Sequence, residues 1–241
     1  MPHSGTDHQH HISQQFNKDL TMLREHLMLM GGLVEQQVSQ AITAMTARDT
    51  ELAEQVRDQD KQVNALEKTI DREWVNVIAM RQPAASDLRL VVASAKIVND
   101  LERVGDEAKK IAKISIALAG LDVSDSARGF VEVRNIGRQV LGMLHNALDA
   151  FARFDTEAAF QVIKEDEVVD SEYKSAMRSL VTVMMEDPRT ITHILNIMWV
   201  LRALERIGDH ACNVSQHVIY LIKGQDVRHI SISDTESLIV K

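Results

Sequence analysis

One acidic motif, present twice, constrains the fold of this chain more than any other feature. Leu-Glu-Arg-Val-Gly-Asp begins at Leu101, and Leu-Glu-Arg-Ile-Gly-Asp begins at Leu204, a spacing of 103 residues. Both copies lie inside long segments whose apolar residues recur with the period of an α-helix. On a helix, the Glu and the Asp of each copy lie one turn apart on the same face. The sequence therefore predicts two equivalent helices with paired carboxylates.

The repetition extends beyond this motif. Asp49-Thr-Glu-Leu-Ala recurs as Asp155-Thr-Glu-Ala-Ala, and Gly31 recurs as Gly137, both at a spacing of 106 residues. Each of these aspartates is placed to cap a helix, because its side chain can accept a hydrogen bond from the first turn. Since caps, glycines and the acidic motif recur in the same order, the sequence indicates an internal duplication of about 105 residues.

Each half is predicted to form three long helices, so the expected fold class is all-α, with six long helices in two tandem three-helix bundles. An interruption is expected at Gly31-Gly32, and Gly120 is expected to end the third helix in the left-handed conformation. The predicted helices cover about 16–47, 50–81, 86–119, 126–153, 156–186 and 188–223. The predicted divisions are a disordered His-containing leader (1–15), a first bundle (16–120), a second bundle (121–224) and a polar C-terminal tail (225–241).

Composition and charge exclude several classes of function. The formal net charge is −8, from 27 basic and 35 acidic residues without a basic cluster, which argues against nucleic acid as a partner. No apolar run approaches the ~18 residues that a membrane span needs, and no signal-peptide pattern is present. The single cysteine, Cys212, fits a reducing compartment. We therefore expect a cytoplasmic protein without membrane insertion, which could still dock on a membrane protein.

The repeated carboxylates are predicted to lie away from the core. Glu102 and Asp106 fall opposite the apolar stripe of the third helix, and Glu205 and Asp209 fall opposite that of the sixth. The N-terminal halves of these two helices are apolar nearly all round. We therefore expect those halves to be buried on both sides, between the two units or against a second chain.

A related pair stands on the second helix of each half. Asp166 and Asp170 on the fifth helix correspond, 106 residues earlier, to Asp60 and Asn64 on the second. Each half therefore supplies two pairs of oxygen ligands on separate helices. Such oxygen-rich groups suit hard cations such as Mg²⁺, Ca²⁺ and Mn²⁺, and also iron. A solvated acidic face is the alternative, but the duplication favours a divalent or trivalent metal site, with magnesium, manganese, iron and zinc left open.

Catalytic motifs are missing from the sequence. It contains no Gly-rich phosphate loop, no Ser/His/Asp arrangement, no nucleophile elbow and no Glu-x-x-His of di-iron bundles. We therefore expect a protein that is not an enzyme. A metal-storing or metal-dependent helical protein without a signalling role stays an alternative, as does a structural dimerisation module.

Several motifs together resemble the PhoU family of bacterial phosphate-uptake regulators. Beside the repeated acidic motif, they are Arg81-Gln-Pro-Ala-Ala-Ser-Asp-Leu-Arg89, Met185-Glu-Asp-Pro-Arg-Thr190 and Gly224-Gln-Asp-Val-Arg-His229. The resemblance covers about residues 15–230. It implies repression of the phosphate-starvation response when phosphate is plentiful. It also implies two partners, the ATPase subunit of the phosphate ABC transporter and a phosphate-sensing histidine kinase.

The same resemblance implies metal ions held by Glu/Asp-xxx-Asp motifs. The corresponding residues of this chain are Glu102, Asp106, Asp166, Asp170, Glu205 and Asp209. Asn64 departs from the acidic pattern beside Asp60, and an amide oxygen can ligate but brings no charge. A homodimer is also expected.

Overall fold

Seven α-helices and one 3-10 turn make up the described part of the chain. The computed structural model describes residues 5–83, 85–120 and 129–239, with side chains from residue 16 onward except Arg81. The helices are α1 (Gly5–Ala47), α2 (Thr50–Arg81), α3 (Ala85–Ala119), α4 (Phe130–Arg153), α5 (Thr156–Glu186), α6 (Ile191–Lys223) and α7 (Ile232–Ile239), with the 3-10 turn at Pro188–Thr190. The described residues include no strand. The predicted all-α class with two repeated bundles is confirmed.

The repeated aspartates cap equivalent helices, as the sequence predicts. Asp49 Oδ1 accepts a hydrogen bond of 2.9 Å from the amide of Leu52, and Asp155 Oδ1 accepts one of 2.9 Å from that of Ala158. Gly224 ends α6 in the left-handed conformation, with φ 72°. Gly120 follows α3 without a positive φ, so its predicted left-handed conformation is wrong. A glycine permits that conformation but does not require it.

Three element boundaries differ from the predicted ones. Helix α1 begins at Gly5, well before residue 16, because no glycine or proline between them breaks the helix. Helix α4 begins at Phe130, directly after Gly129 with φ 88°. The predicted polar tail contains α7, and Val227 and Ile239 around it are buried. Residues 121–128 and the side chains of the four leader histidines lie outside the described residues.

The predicted interruption at Gly31-Gly32 is absent, because α1 runs through it. Gly31 instead lets α1 approach α4: a Cβ built on it would lie 2.6 Å from Cδ2 of the buried Leu148. Gly137 of α4 lies under Ile42 of α1 in the reciprocal contact, at 3.0 Å. Since Leu148 follows Ile42 by 106 residues, each half contributes one glycine and one apolar residue. The crossing of α1 and α4 therefore has two-fold pseudo-symmetry.

Helices α3 and α6 form the other contact between the halves, and they run antiparallel. Asp100 contacts His210 and His217, whereas Glu107, two turns further along α3, pairs with Arg206. From Asp100 to Glu107 along α3, the contacted residues on α6 move back from His210 and His217 to Arg206. The two helices therefore run in opposite directions. These five polar residues lie at the centre of the contact, and apolar side chains flank them. Among the apolar side chains that are fully buried in the two helices are Val91, Ile97, Leu101, Ile194, Val200 and Leu204.

The N-terminal halves of α3 and α6 are buried on one side only. Val91 and Ile194 are completely buried, but Leu88, Leu195 and Trp199 are exposed, Trp199 by 57%. The antiparallel pairing places the start of each helix at an outer end of the molecule, where only one face meets neighbours. The predicted burial on both sides is therefore wrong for these residues.

The two adjacent glycines of α1 allow a paired test. Gly32→Ala should raise the free energy of unfolding by about 0.5–1 kcal/mol, because alanine favours the helix and nothing lies within 4 Å of the new Cβ. Gly31→Ala should lower it by about 1 kcal/mol, since the displaced Leu148 has no solvent to move into. Urea unfolding followed by circular dichroism measures both. Equal stabilisation by the two variants would contradict the close approach of α1 and α4.

Candidate functional site: two unequal acidic clusters

The first acidic cluster lies between α2 and α3 and consists of Asp60, Asn64, Glu102 and Asp106. Asp60 is 3% exposed, and its Oδ2 accepts hydrogen bonds from Lys109 Nζ at 2.6 Å and from Asn64 Nδ2 at 3.2 Å. The same ammonium lies 4.0 Å from Asp106 Oδ1. An ammonium group of the protein therefore lies among the predicted metal ligands.

Glu102 stands at the edge of this cluster. Burial raises the pKa of Glu102, and the charges of Asp106 and Glu67 raise it further. Burial likewise raises the pKa of Glu67 on α2. The first cluster therefore contains more negative charge than Lys109 alone balances.

The second acidic cluster lies between α5 and α6 and consists of Asp166, Asp170, Glu205 and Asp209. Cys212 occupies the position equivalent to Lys109, three residues after the motif aspartate. Its thiol accepts a hydrogen bond of 3.7 Å from Gln216 Nε2 and lies near enough to Asp166 for the carboxylate to raise the pKa of the thiol. Within the described part of the chain, no basic side chain forms an ion pair with Asp166.

Two basic side chains reach the periphery of the second cluster. Arg202 Nη1 donates to Glu205 Oε1 at 2.6 Å, and Lys174 Nζ donates to Asp170 Oδ2 at 2.9 Å on an exposed face. The second oxygen of Glu205, Oε2, is buried and has no hydrogen-bond partner. A buried carboxylate oxygen without a donor is costly, so this atom marks a position where a positive group would be stabilising.

The electrostatics of the second cluster reflect this shortage of positive charge. Burial raises the pKa of Asp166 to about 6, with added effect from the charges of Asp209 and Asp170. Burial and the charge of Asp170 raise the pKa of Asp209. Burial and the neighbouring aspartates also raise the pKa of the Cys212 thiol. These carboxylates therefore repel one another across the α5–α6 contact.

In each half, two adjacent helices bring the predicted ligands near one another. The side chains do not surround a common point where an ion could bind. Within residues 5–83, 85–120 and 129–239, no group of three or more His, Cys, Asp or Glu side chains is arranged to hold a metal ion. The chemistry of the second cluster still fits a cation, because Glu205 Oε2 is buried without a hydrogen-bond partner and burial among carboxylates raises the pKa of Asp166. The metal sites stay a prediction.

A buried polar network between the halves was not among the predicted sites. Asp100 Oδ1 lies 2.9 Å from His210 Nδ1 and 3.3 Å from Asn213 Nδ2, and Asp100 Oδ2 lies 3.3 Å from His217 Nε2. Burial acts to raise the pKa of Asp100, but hydrogen bonds from the two histidines outweigh it and lower the pKa to about 2. His210 has no equivalent in the first half, where Glu107 stands, and this difference between the repeats was the available signal.

Comparison with known protein families decides the assignment. A family profile described as PhoU domain matches residues 27–115 and again residues 133–218. The chain belongs to the PhoU family. Each matched range falls within one three-helix unit and contains one copy of the acidic motif. No described helix combines the length and apolar character that crossing a membrane requires.

PhoU proteins of known name and structure resemble the chain along most of its length. A Pseudomonas putida protein named phosphate-specific transport system accessory protein PhoU homolog is 56% identical, over 92% of this chain and 86% of its own. The Escherichia coli K12 accessory protein PhoU is 44% identical, over 95% and 94%. The crystal structure of PhoU from Pseudomonas aeruginosa is 55% identical with a TM-score of 0.84, covering 87% of this chain and 100% of that one.

The unequal charge of the two clusters generates a stability test in chelator. Asp166→Asn should raise the free energy of unfolding by about 1 kcal/mol at pH 7.5, a value reduced for partial exposure. Asp60→Asn, the matched variant, should lower it by about 2 kcal/mol because Lys109 loses its partner. Urea unfolding in the presence of a chelator measures both.

The sign of the pH dependence follows from the raised pKa of Asp166. The folded pKa of Asp166, about 6, exceeds the ordinary value of 3.8. Ionisation of Asp166 therefore leaves the free energy of unfolding unchanged below about pH 4, lowers it progressively as the pH rises to 6, and has its full effect above pH 6. The gain from Asp166→Asn should therefore shrink as the pH falls from 7.5 to 5. A gain that is independent of pH would show that repulsion of the Asp166 charge is not its source.

Proposed function

We propose that this chain regulates phosphate uptake by binding to other proteins and catalyses no reaction. The observation that carries the proposal is the near full-length match to proteins named as accessory proteins of the phosphate-specific transport system. A Streptococcus pneumoniae structure with a TM-score of 0.80 and 27% identity is titled a phosphate transport system regulatory protein PhoU. An accessory role of this kind requires partner surfaces and no catalytic centre.

The finer proposal is negative regulation of the phosphate-starvation response from the cytoplasm. The proposed partners are the ATPase subunit of the phosphate ABC transporter and a phosphate-sensing histidine kinase. The signal would be a difference in affinity for two states of a partner, because a binder with equal affinity for both shifts neither. A homodimer stays a prediction, which sedimentation analysis of the purified chain would check.

Exposed apolar side chains at the two helical tips support binding to partners. The α2–α3 tip exposes Met80 and Leu88, and the α5–α6 tip exposes Met185 and Ile191. Clustered exposed apolar groups are typical of protein interaction sites. Because α3 and α6 are antiparallel, the two tips lie at opposite ends of the molecule. The duplicated chain therefore offers one equivalent surface at each end.

We also propose that the acidic clusters bind metal ions. Asp166, Asp170, Glu205 and Asp209 would hold the ion of the second cluster, and Asp60, Asn64, Glu102 and Asp106 belong to the first. A bound cation supplies positive charge that offsets the repulsion among these carboxylates. The orphaned Glu205 Oε2 supports the proposal for the second cluster.

Manganese uptake tests metal binding independently of any regulatory role. The quadruple variant Glu102→Ala, Asp106→Ala, Glu205→Ala and Asp209→Ala should lose Mn²⁺ that wild-type protein retains in equilibrium dialysis. Its stability in chelator should not fall, because the removal of stacked like charges relieves repulsion. Unchanged manganese stoichiometry in a folded quadruple variant would exclude the acidic motifs as ligands.

The regulatory proposal is tested in cells. Deletion of the gene should activate phosphate-starvation genes in phosphate-rich medium and cause phosphate to accumulate. Complementation with Met80→Asp plus Met185→Asp should restore repression poorly, because these residues are 75% and 79% exposed and the charges disrupt contact, not folding. Leu29→Asp, at a 56% exposed site beside the α1–α4 crossing, is the matched control and should restore repression.

Two outcomes would count against this assignment. Normal repression and phosphate content in the deletion strain would contradict the regulatory function and would favour the metal-storing alternative. Full activity of the double methionine variant, with retained capture of the transporter ATPase, would exclude the tips as the partner surfaces.

A further inference from the structure

We propose that the exposed face of α6 beside the α5–α6 tip binds an acidic amphipathic helix of a partner protein. The inference rests on the proposed binding to other proteins and adds the chemistry of the partner at one end of the molecule. It also makes the two tips select different partners, because carboxylates of the first half stand where the second half has aromatic and apolar groups.

An apolar strip runs along α6 from this tip and consists of Ile191, Leu195 and Trp199. The three residues follow one another at intervals of four, so they lie on the same face of the helix. Their exposed fractions are 41%, 44% and 57%. With the rise of an α-helix, the strip is about 12 Å long. An exposed tryptophan in such a strip is typical of the residues that contribute most to protein binding.

The side of the strip toward α5 is positively charged. A short 3-10 turn joins α5 to α6, so the last residues of α5 lie beside the first residues of α6. Residues 173–185 of α5 contain Lys174 and Arg178 and no acidic residue. Residues 191–204 of α6 contain Arg202 and likewise no acidic residue.

The side of the strip toward α3 is positively charged as well. Arg206 pairs with Glu107 and the two helices are antiparallel, so the residues that follow Glu107 run beside the strip. Residues 108–119 of α3 contain Lys110 and Lys113 and no acidic residue. Glu107 itself is buried and pairs with Lys110 as well. The α6 strip therefore lies between two basic edges, although the formal net charge of the chain is −8.

The equivalent face of α3 is interrupted by a cation. Lys96 stands 103 residues before Trp199, and its ammonium lies 5.5 Å from the ring centroid of Tyr220. The exposed Leu88 of the first tip is followed one turn later by the half-buried Val92 and then by this lysine. The first half therefore has an apolar tip without an apolar strip.

The α2 side of the first tip is acidic, unlike the α5 side of the second. Glu67 and Asp71 of α2 stand 106 residues before Tyr173 and Met177 of α5. Two carboxylates of the first half thus correspond to an aromatic and an apolar residue of the second. A charged segment that is attracted to one tip therefore meets repulsion at the other, which is a common source of specificity.

A helix with apolar side chains on one face and carboxylates at its edges fits the second tip. Its apolar residues, spaced three and four apart, pack along the α6 strip, and its carboxylates meet the cations on both sides. The docked helix lies along α6 as the helices of the unit lie along one another. It therefore extends a three-helix unit into a four-helix bundle.

A second copy of the chain and a membrane surface fit the strip less well. A two-fold contact between copies places the same surface on both subunits, so the basic edges of one strip would face those of the other. A helix bound to a bilayer buries its apolar face about 5–10 Å below the headgroups. Helices α3 and α5, with their cations beside the strip, stand in the way of such insertion.

Cross-linking from position 199 tests the inference in cells. The full-length chain carrying Trp199→p-benzoylphenylalanine replaces the native copy, and cells growing in phosphate-rich medium are irradiated. Mass spectrometry should map the cross-link to one segment of a partner protein, a helix with apolar residues three and four apart that are flanked by Asp or Glu. Lys96→p-benzoylphenylalanine is the matched control and should not reach that segment.

Other products of this experiment would overturn the inference. Attachment to phospholipid would identify a membrane surface as the occupant, and attachment to a second copy of the chain would identify a dimer contact. A cross-link to a partner segment without acidic residues would exclude the proposed chemistry. Absence of any product would show that the strip is not covered in the cell.

Two synthetic peptides test the role of charge in solution. Both carry leucine at positions i, i+4, i+7 and i+11 of a helix and a fluorescent label, with glutamate at the edge positions of one and lysine at those of the other. In anisotropy titrations with the full-length chain, the acidic peptide should bind at least about tenfold more tightly than the basic one. Added salt should reduce that difference.

Variants of the chain show where the acidic peptide binds. Trp199→Ala should weaken its binding at least about tenfold, a loss typical of a central interface residue. Lys113→Glu with Arg178→Glu should reverse the preference between the two peptides, because both edges of the strip change sign. Arg72→Glu changes the residue equivalent to Arg178 in the first half and should leave both affinities unchanged. Circular dichroism confirms that each variant is folded.

The inference and the regulatory function fail in different experiments. Equal affinity for the two peptides, no binding of the acidic peptide, or unchanged binding by Trp199→Ala would overturn the inference and leave the regulatory function standing. Normal repression in the deletion strain would contradict the regulatory function, whatever the peptides bind.

Discussion

The antiparallel contact of α3 with α6 is the interaction on which the rest of the structure depends. It joins the two halves, and a buried carboxylate lies at its centre. Asp100 stays ionised there because His210, Asn213 and His217 of the other half surround it with hydrogen-bonding groups. A slip of α6 by one turn would leave a buried charge without partners, which is far more costly than an equal slip of an apolar contact. The network therefore fixes the register between the halves as well as their attachment.

This register determines where the acidic motifs lie. With one face of α3 turned toward α6, its opposite face meets α2, and the equivalent face of α6 meets α5. The carboxylates of each motif therefore face the second helix of their own unit, whereas Arg206 of the second motif pairs with Glu107 of the other half. The reciprocal contacts of Gly31 with Leu148 and of Gly137 with Ile42 add a second crossing with the same pseudo-symmetry. Two acidic clusters and two exposed apolar tips follow from this arrangement.

Symmetry of the backbone does not extend to charge. Lys109 lies on Asp60 in one half, while in the other Cys212 lies beside Asp166, where burial and neighbouring carboxylates raise the pKa of that aspartate to about 6. A duplicated fold can therefore place a lysine on the buried aspartate of one cluster and leave the equivalent aspartate of the other without a basic partner among the described residues.

The sequence by itself determined the helices, because periodicity, the Asp49 and Asp155 caps and the glycine after α6 act locally. It also determined the duplication and the pairing of Glu with Asp on one face, since residues four apart lie on the same face of any helix.

Only the tertiary structure decided that α1 crosses α4 at Gly31 and does not break there, because that depends on Leu148 more than a hundred residues away. It also decided which carboxylates are neutralised. The ammonium of Lys109 could serve Asp60 only after α3 packed on α2, and the environment of Cys212 arose only when α6 met α5. Long-range packing sets burial and distance, and those two quantities govern the chemistry of both clusters.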